Sequence, residues 1–353
     1  MQVARPVAHD ATIERLWRAA ARGRLPHALC FEGRAGIGKY LAACWLAQGC
    51  LCAAGPGVPC GTCGPCRRVT SGGERGNHAD LFVIDPLLEG EERIRVGRIA
   101  ERRDQDAPPE PSLEAFLGLR PLEGRWRVVL VRESHRMLPQ AQNALLKMLE
   151  EPRPGTLLVL ETHRPSALLA TIKSRCIRIR FAALAPAQCA AVLRTGGLDE
   201  AEAQELARLS EGSPGVALAL AQSGARAILA RLVDVALGRC APSLAAGELW
   251  ELEGEFTGKS ESARDRERCR VVLDLAVALA RDAGRAAGGL PAEALAHGEA
   301  AVALAGRAGA DGLARRILAL AEARADVEHN LTPGTLLDRA LGVLAHGPAP
   351  AYR

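Results

Sequence analysis

Short apolar runs recur between residues 126 and 181 at the spacing of strands in an α/β unit. Arg127–Arg132 (RVVLVR) and Thr156–Glu161 (TLLVLE) are rich in valine and leucine, which predicts buried strands. The run IRIRF at 177–181 alternates apolar and charged residues, as a strand with one solvent-facing side does. The block therefore predicts three strands.

Segments of helical character separate these runs. Leu138–Glu151 predicts a helix, because a proline follows its first residue, no glycine interrupts it and Pro152 stops it. Ser166–Lys173 predicts a second and shorter helix before the last strand. Strands that alternate with helices at this spacing indicate a parallel sheet built from right-handed crossovers.

The same alternation occurs nearer the N-terminus and contains a glycine-rich loop. Ala28–Glu32 (ALCFE) predicts a strand and Tyr40 to about Gly49 a helix, and the loop between them fits the phosphate-loop pattern G-x-x-x-x-G-K. Glycines let successive backbone N–H groups face a phosphate, and the helix N-terminus adds a favourable dipole. The predicted nucleotide-binding residues of this loop are Gly33, Gly36, Gly38 and Lys39.

Tyr40 departs from the pattern. This position normally carries serine or threonine, whose hydroxyl binds Mg²⁺, and a phenol lies too far from the backbone to replace it. We therefore predict that the loop binds ATP or ADP without efficient hydrolysis. A glycine-rich strand–helix turn that binds no ligand is the alternative that the sequence leaves open.

A cysteine cluster follows the predicted helix. Cys60, Cys63 and Cys66 are separated by two residues each, and the intervening glycines and proline allow tight turns that direct the sulfurs to one point. Either Cys52 or Cys50 supplies a fourth thiolate. Tetrahedral Zn²⁺ is the expected occupant, because it would hold together an insertion that has no core of its own. An iron–sulfur cluster or unliganded thiols are the alternatives.

Composition restricts the classes of function. The 353 residues are enough for two or three domains, and the net charge of +4 permits contact with a polyanion but does not point to one. An aromatic content of 3% argues against single-strand binding through base stacking. With 11 cysteines, no secretory leader and no long apolar run, we expect a cytoplasmic protein without membrane contact.

Beyond residue 182 the sequence predicts helices only. Residues 225 to about 346 are rich in alanine, leucine and arginine, with a polar interruption at Glu253–Glu267. The shorter helices predicted before this region are Pro186–Gly196, Leu198–Ser210 and Gly215–Ser223. The expected domains are 1–182 with the cysteine insertion at about 50–68, a helical domain at 183–223, and a second helical domain at 224–353.

Three stretches of the first domain carry a resemblance to a known family. Asn143–Pro152 (NALLKMLEEP), Thr162 after a strand, and Thr171–Cys176 (TIKSRC) resemble the AAA+ clamp-loader subunits of bacterial DNA replication. The resemblance implies an α/β AAA+ core, a small helical lid and a C-terminal helical collar that holds subunits in a ring. It also implies that Thr162 senses the γ-phosphate and that Arg175 is an arginine finger for a neighbouring subunit.

The same resemblance bears on the metal ligands. Family members carry a zinc module at this place, which favours Cys52 over Cys50. The ligand set that we predict is Cys52, Cys60, Cys63 and Cys66.

Compared with the ATP-hydrolysing members of this family, the chain lacks parts of the site. Their strand ends in an acidic pair that orders Mg²⁺ and polarises water, whereas Arg132 would repel the metal here. Glu133 alone cannot fill both roles, and we interpret it as a surface carboxylate at a strand end. Gly215 stands where the ATP-sensing arginine of the lid is expected.

The resemblance therefore implies a subunit without ATPase activity of its own. Such a subunit would complete the ATP site of an adjacent gamma/tau subunit with Arg175, and would have the delta subunit as a further partner. It would meet the sliding clamp and primed DNA through the complex. The alternatives are an ATP-hydrolysing subunit of the gamma/tau type, which Tyr40 and Arg132 disfavour, and a zinc-bearing adaptor that binds partners and no nucleotide.

Overall fold

A computed structural model of the chain describes residues 5–71, 76–89, 91–100, 111–256, 260–327 and 331–348. The chain divides into two units, 1–184 and 185–353. The expected division of the second unit at residue 223 stays a prediction. The end of the last expected domain, from residue 349, lies outside the described residues.

A parallel sheet forms the centre of the first unit. Its described strands are β1 Ala28–Glu32, β2 Leu81–Ile84, β3 Arg127–Val131, β4 Thr156–Thr162 and β5 Ile177–Arg180. Their order across the sheet is β2-β3-β4-β1-β5. Strands β1, β3 and β4 are buried along their whole length, as strands covered on both faces are. The predicted α/β core with a parallel sheet is confirmed.

The strand order brings the candidate residues to one edge of the sheet. Strand β4 lies between β1 and β3, with Glu32 opposite Thr162 and Val131 opposite Leu160. Because the strands are parallel, the segments that follow β1, β3 and β4 leave the same edge, where ligands bind in open α/β sheets.

Helices precede β1 and connect the strands of the first unit. They are α1 Asp10–Ala21, α2 Lys39–Leu51, α3 Gly64–Thr70, α4 Pro86–Glu89, α5 Val96–Ile99, α6 Leu113–Gly118, α7 Pro139–Glu150 and α8 Ala170–Lys173. The buried face of α7 packs Ala141, Leu145 and Leu149 into the sheet's hydrophobic core. The predicted helix at 138–151 is therefore confirmed to within a residue at each end.

The predicted continuous helix at Ser166–Lys173 is wrong. A one-turn 3₁₀ helix, Pro165–Ala167, precedes α8, and the backbone between them is extended. The buried side chain of Gln142 satisfies this break, since its Nε2 donates to Ala167 O at 3.1 Å and its Oε1 accepts from Leu169 N at 2.8 Å. A side chain from another helix thus replaces the hydrogen bonds of a helical turn.

The described part of the second unit is helical. Its helices are α9 Pro186–Thr195, α10 Glu200–Leu209, α11 Pro214–Gln222, α12 Ala225–Ala236, α13 Pro242–Glu251, α14 Glu261–Ala287, α15 Gly298–Asp326 and α16 Pro333–His346. The polar stretch expected at Glu253–Glu267 is helical from residue 261 onward, where it forms the start of α14. Ser260 begins α14, because its Oγ accepts a hydrogen bond from Ala263 N at 3.2 Å.

Among the described residues, no single helix is long and apolar enough to cross a bilayer. Helices α11 and α12 meet the length and hydropathy criteria only as a pair, and they are bent by 82° at the break between them.

Candidate nucleotide and metal sites

The loop between β1 and α2 has a backbone that requires glycine. Gly36 and Gly38 have φ values of +74° and +92°, which residues with a side chain rarely adopt. A Cβ on Gly33 would lie 2.5 Å from the carbonyl oxygen of Phe181. The glycines of the motif are therefore needed for the shape of the loop itself.

Lys39 is buried and already paired. Its Nζ lies 3.0 Å from Glu161 Oε1 and donates to Arg34 O at 2.5 Å, and the two charged side chains are only 2% and 7% exposed. The second oxygen of Glu161 accepts a hydrogen bond from Glu133 N at 3.0 Å. Two buried charges stabilise each other only while both are present, so a phosphate that approaches Lys39 competes with Glu161.

The residues that replace the expected magnesium ligands contact each other. The guanidinium of Arg132 lies 4.8 Å from the centroid of the Tyr40 ring and donates from Nη1 to Asp85 Oδ2 at 2.8 Å. Asp85 follows β2 and is fully buried. Burial raises the pKa of the Tyr40 hydroxyl, which keeps it neutral. The ring and the guanidinium form one stacked, charge-balanced group with Asp85.

Thr162 ends β4 and is fully buried. Its Oγ1 accepts a hydrogen bond from Arg164 N at 3.0 Å and lies 3.2 Å from His135 Nδ1. The hydroxyl that the resemblance assigns to phosphate sensing is therefore held by Arg164 N and His135 at the carboxyl ends of β3 and β4.

Glu133 lies next to His135, the residue that contacts Thr162. It lies 3.4 Å from His135 Nε2, 3.3 Å from His163 Nδ1 and 3.4 Å from Arg136 Nε. Burial alone would raise the pKa of Glu133, but His163, His135 and Arg136 outweigh it and lower the pKa to about 2. Burial and the neighbouring His163 lower the pKa of His135 to about 4. The interpretation of Glu133 as a surface carboxylate is wrong, because this side chain is only 13% exposed.

Arg175 follows α8 and is partly exposed. Its Nη2 lies 2.6 Å from Glu150 Oε1, at the end of α7, and its Nη1 donates to Thr171 O at 3.1 Å. Both side chains remain accessible to solvent. The guanidinium is therefore oriented by its own chain but can still reach another molecule.

The cysteine cluster forms at the end of α2 and the start of α3. The ligand atoms of the group all lie within 4.8 Å of one another, and Cys52 Sγ is 4.0 Å from Cys63 Sγ. Cys63 N donates to Cys60 Sγ and Cys66 N donates to Cys63 Sγ, each at 3.4 Å. The four residues brought together in this way are Cys52, Cys60, Cys63 and Cys66. This arrangement can hold a metal ion.

The thiols differ in their readiness to ionise. Hydrogen bonds from the backbone of Cys63 and Thr62 lower the pKa of Cys60 to about 6. Burial raises the pKa of Cys66, so its thiolate needs a neighbouring cation. Cys50 is not in the group, and burial alone raises its pKa to about 12.

The sequence did not lead us to predict a role at this edge of the sheet for four residues: Asp85, His135, Glu161 and His163. Glu161 carried a signal, since a charged residue at the end of an otherwise apolar, fully buried run needs a partner. Asp85 gave a weaker signal of the same kind, since it follows the apolar strand β2. The two histidines gave none, because their contact depends on how β3 and β4 are paired.

About half of the chain matches a known protein family. The family model described as "DNA polymerase III, delta subunit" matches residues 8–185. The chain is 37% identical over 227 residues to DNA polymerase III subunit delta' of Pseudomonas aeruginosa, a match that covers 62% of this chain and 63% of the relative. It is 33% identical over 171 residues to the Bacillus subtilis protein of that name, covering 48% of this chain and 46% of the relative.

A solved structure is also similar over most of the chain. It is a DNA polymerase III gamma subunit-related protein of Thermotoga maritima, with a TM-score of 0.46 and 18% identity, covering 94% of this chain and 98% of that one. The chain spans about half of the Bacillus subtilis relative and less than two thirds of the Pseudomonas aeruginosa relative.

Proposed function

Because this chain belongs to the DNA polymerase III delta subunit family, we propose that it is the delta' (delta-prime) subunit of a bacterial clamp loader, a stator that hydrolyses no ATP itself. It would work in the cytoplasm as one member of a hetero-oligomer within the DNA polymerase III holoenzyme. The observation that carries the absence of hydrolysis is the contact between Tyr40 and Arg132.

Hydrolysis of a bound triphosphate needs Mg²⁺ beside the phosphate loop. A threonine hydroxyl and a strand-end carboxylate normally hold this ion, and here a phenol ring and a guanidinium stand at the two positions. Arg132 already neutralises Asp85, so that carboxylate is not available to replace the missing one. A dication placed beside this guanidinium would be repelled rather than held.

The proposed contribution of this chain is made through Arg175. An arginine supplied to a neighbour's site stabilises the charge that develops on the transferred phosphoryl group. Glu150 orients the guanidinium toward the end of α7 while leaving it partly exposed. The proposed recipient is a gamma/tau subunit, with the delta subunit as second partner and with the sliding clamp and primed DNA reached through the complex.

The proposed occupant of the cysteine cluster is Zn²⁺. Four thiolates around a zinc ion with bonds of about 2.3 Å would be separated by about 3.8 Å, and the sulfurs of Cys52 and Cys63 are 4.0 Å apart. The N–H groups that point at Cys60 and Cys63 stabilise the charged form of those ligands. When bound, the ion would cross-link the end of α2 to the start of α3.

Reconstitution with gamma/tau and delta subunits tests the role of Arg175. In the Arg175→Ala variant we expect unchanged assembly by mass and a loss on the order of 10³ in hydrolysis at the site that the finger serves. Arg180→Ala, which removes an exposed arginine nearby, is the matched control and should retain activity. Equal ATPase and clamp-loading rates in the Arg175→Ala and wild-type complexes would remove Arg175 from the mechanism.

Two other functions are separated by assays on the purified chain. Robust Mg²⁺-dependent ATP turnover would place it with the ATP-hydrolysing gamma/tau subunits. The buried Lys39–Glu161 ion pair favours a second candidate, an adaptor that binds partners and no nucleotide. Under the stator proposal the loop glycines, Lys39 and Thr162 still bind ATP or ADP, so a nucleotide titration without any binding would favour the adaptor.

A further inference from the structure

Glu133, His135 and His163 bring three metal-ligating side chains together, away from the cysteine cluster. Their ligand atoms lie within 4.8 Å of one another. Glu133 and His135 follow β3 and His163 follows β4, so two adjacent strands supply the group at their carboxyl ends. The proposed function leaves this group without a role.

Each carboxylate oxygen of Glu133 faces one imidazole at the spacing of neighbouring ligands around a tetrahedral ion. Glu133 Oε1 is 3.3 Å from His163 Nδ1, and Glu133 Oε2 is 3.4 Å from His135 Nε2. Ligand atoms bound to one tetrahedral metal ion at about 2.05 Å are about 3.3 Å apart. One oxygen of Glu133 and one nitrogen of each histidine lie within 4.8 Å of one another. A rotation of His163, the most exposed of the three side chains, can shorten the separations that are still too long for one ion.

The orientation of His135 suits a ligand. Its Nδ1 lies 3.2 Å from Thr162 Oγ1, and its Nε2 faces the carboxylate of Glu133. A histidine that binds a metal through one ring nitrogen usually forms a hydrogen bond through the other, which fixes its tautomer. With the proton on Nδ1 and shared with Thr162, the lone pair of Nε2 is directed at the group.

Arg136 is the competitor for this site. Its Nε lies 3.4 Å from Glu133 Oε2, the oxygen that also faces His135. A guanidinium and a metal ion cannot both occupy this position, so metal binding requires Arg136 to move away. Its side chain is 26% exposed, and its Nη1 also donates a hydrogen bond to Glu92 O at 3.2 Å, which this movement would break.

We propose that Glu133, His135 and His163 bind one divalent ion of the Zn²⁺ class, in addition to the ion of the cysteine cluster. Two imidazoles and one carboxylate are a ligand set that Zn²⁺ and Co²⁺ accept, whereas Mg²⁺ requires more oxygen ligands. The ion would tie the ends of β3 and β4 together.

The test uses the full chain without an affinity tag, after its cysteine cluster has been filled with one equivalent of Zn²⁺. Co²⁺ is then added and followed by calorimetry and by visible absorption. We expect one further equivalent, with the d–d bands of nitrogen and oxygen ligands and without the charge-transfer band of a thiolate. A wild-type chain that takes up no second ion, or takes it up with a thiolate band, would overturn the proposal.

Variants locate the second ion. His163→Gln and Glu133→Gln should each reduce the total from two equivalents to one, whereas His27→Gln, which removes a histidine outside the group, should retain two. Arg136→Gln should tighten the second site, because it removes the competing cation. Circular dichroism verifies that each variant is folded. Retention of two equivalents by both His163→Gln and Glu133→Gln would contradict the assignment.

Discussion

The guanidinium of Arg132 stacks on the ring of Tyr40 at 4.8 Å. Each residue departs from the pattern of an ATP-hydrolysing subunit, and the contact makes the two departures one structural feature. Replacing Arg132 alone by aspartate would place a second carboxylate beside the buried Asp85, where the two charges would repel. Restoring the magnesium site therefore requires coordinated changes.

A double-mutant cycle measures this contact. We expect Tyr40→Leu and Arg132→Gln to be non-additive in urea denaturation, with a coupling free energy of about 0.5–2 kcal/mol, the range for a cation over an aromatic ring. Tyr40→Leu combined with Arg239→Gln, in the other unit, is the control and should be additive. Additivity in the first pair as well would mean that the stacking contributes no stability.

Glu161 should control access to Lys39. In Glu161→Gln the lysine loses its charged partner, and we expect ATP or ADP to bind about tenfold more tightly, a gain of about 1.4 kcal/mol. Calorimetric titration measures the change, and Glu150→Gln, which removes a more exposed carboxylate, should leave the affinity unchanged. Weaker binding by Glu161→Gln would show that the carboxylate supports the loop rather than competing with phosphate.

Removal of metal from the cysteine cluster should unfold the insertion locally. We expect a strong chelator to lower the melting temperature and to release one Zn²⁺ per cluster, because the structural ion contributes folding free energy. Cys66→Ser should reproduce the loss, whereas Cys240→Ser, outside the cluster, should behave as wild type. Metal retention should also weaken on acidification, since protons compete for the thiolates. An unchanged melting temperature after complete removal would exclude a stabilising role.

The second unit contains a buried carboxylate–histidine pair. Asp282 Oδ2 accepts hydrogen bonds from His297 N at 3.2 Å and from His297 Nδ1 at 2.7 Å. Burial would raise the pKa of Asp282, but His297 and Arg285 outweigh it and lower the pKa below 3.8. The stability that this carboxylate contributes is therefore present above pH 3.8 and is lost as the pH falls through the lowered pKa.

Asp282→Asn should test that pair. We expect a loss of about 3–5 kcal/mol in unfolding free energy near neutral pH, and a shallower loss of stability in acid. Asp274→Asn on the same helix is the control, because its pair with Arg324 is exposed and worth about 0–1 kcal/mol. Equal effects of the two substitutions would mean that the buried pair is not stabilising.

The sequence predicted the sheet and the loop better than the contacts at the strand ends. Valine and leucine runs identify β3 and β4 because burial on both faces demands them. The pairing of Arg132 with Tyr40 could not be predicted, because it depends on the distance between a strand end and the start of α2. The split of the helix at 166–173 was missed for a similar reason, since a side chain of α7 stabilises it.

Both ends of helix α7 are bonded to residues 167–175, the segment that contains Arg175. Gln142 in its first turn binds the backbone on either side of the break before α8, and Glu150 in its last turn binds the guanidinium of Arg175. A neighbouring molecule that displaces α7 would therefore also displace Arg175. A neighbouring molecule that contacts only residues 170–175 would have to break the contacts of Gln142 and Glu150 before this segment could move.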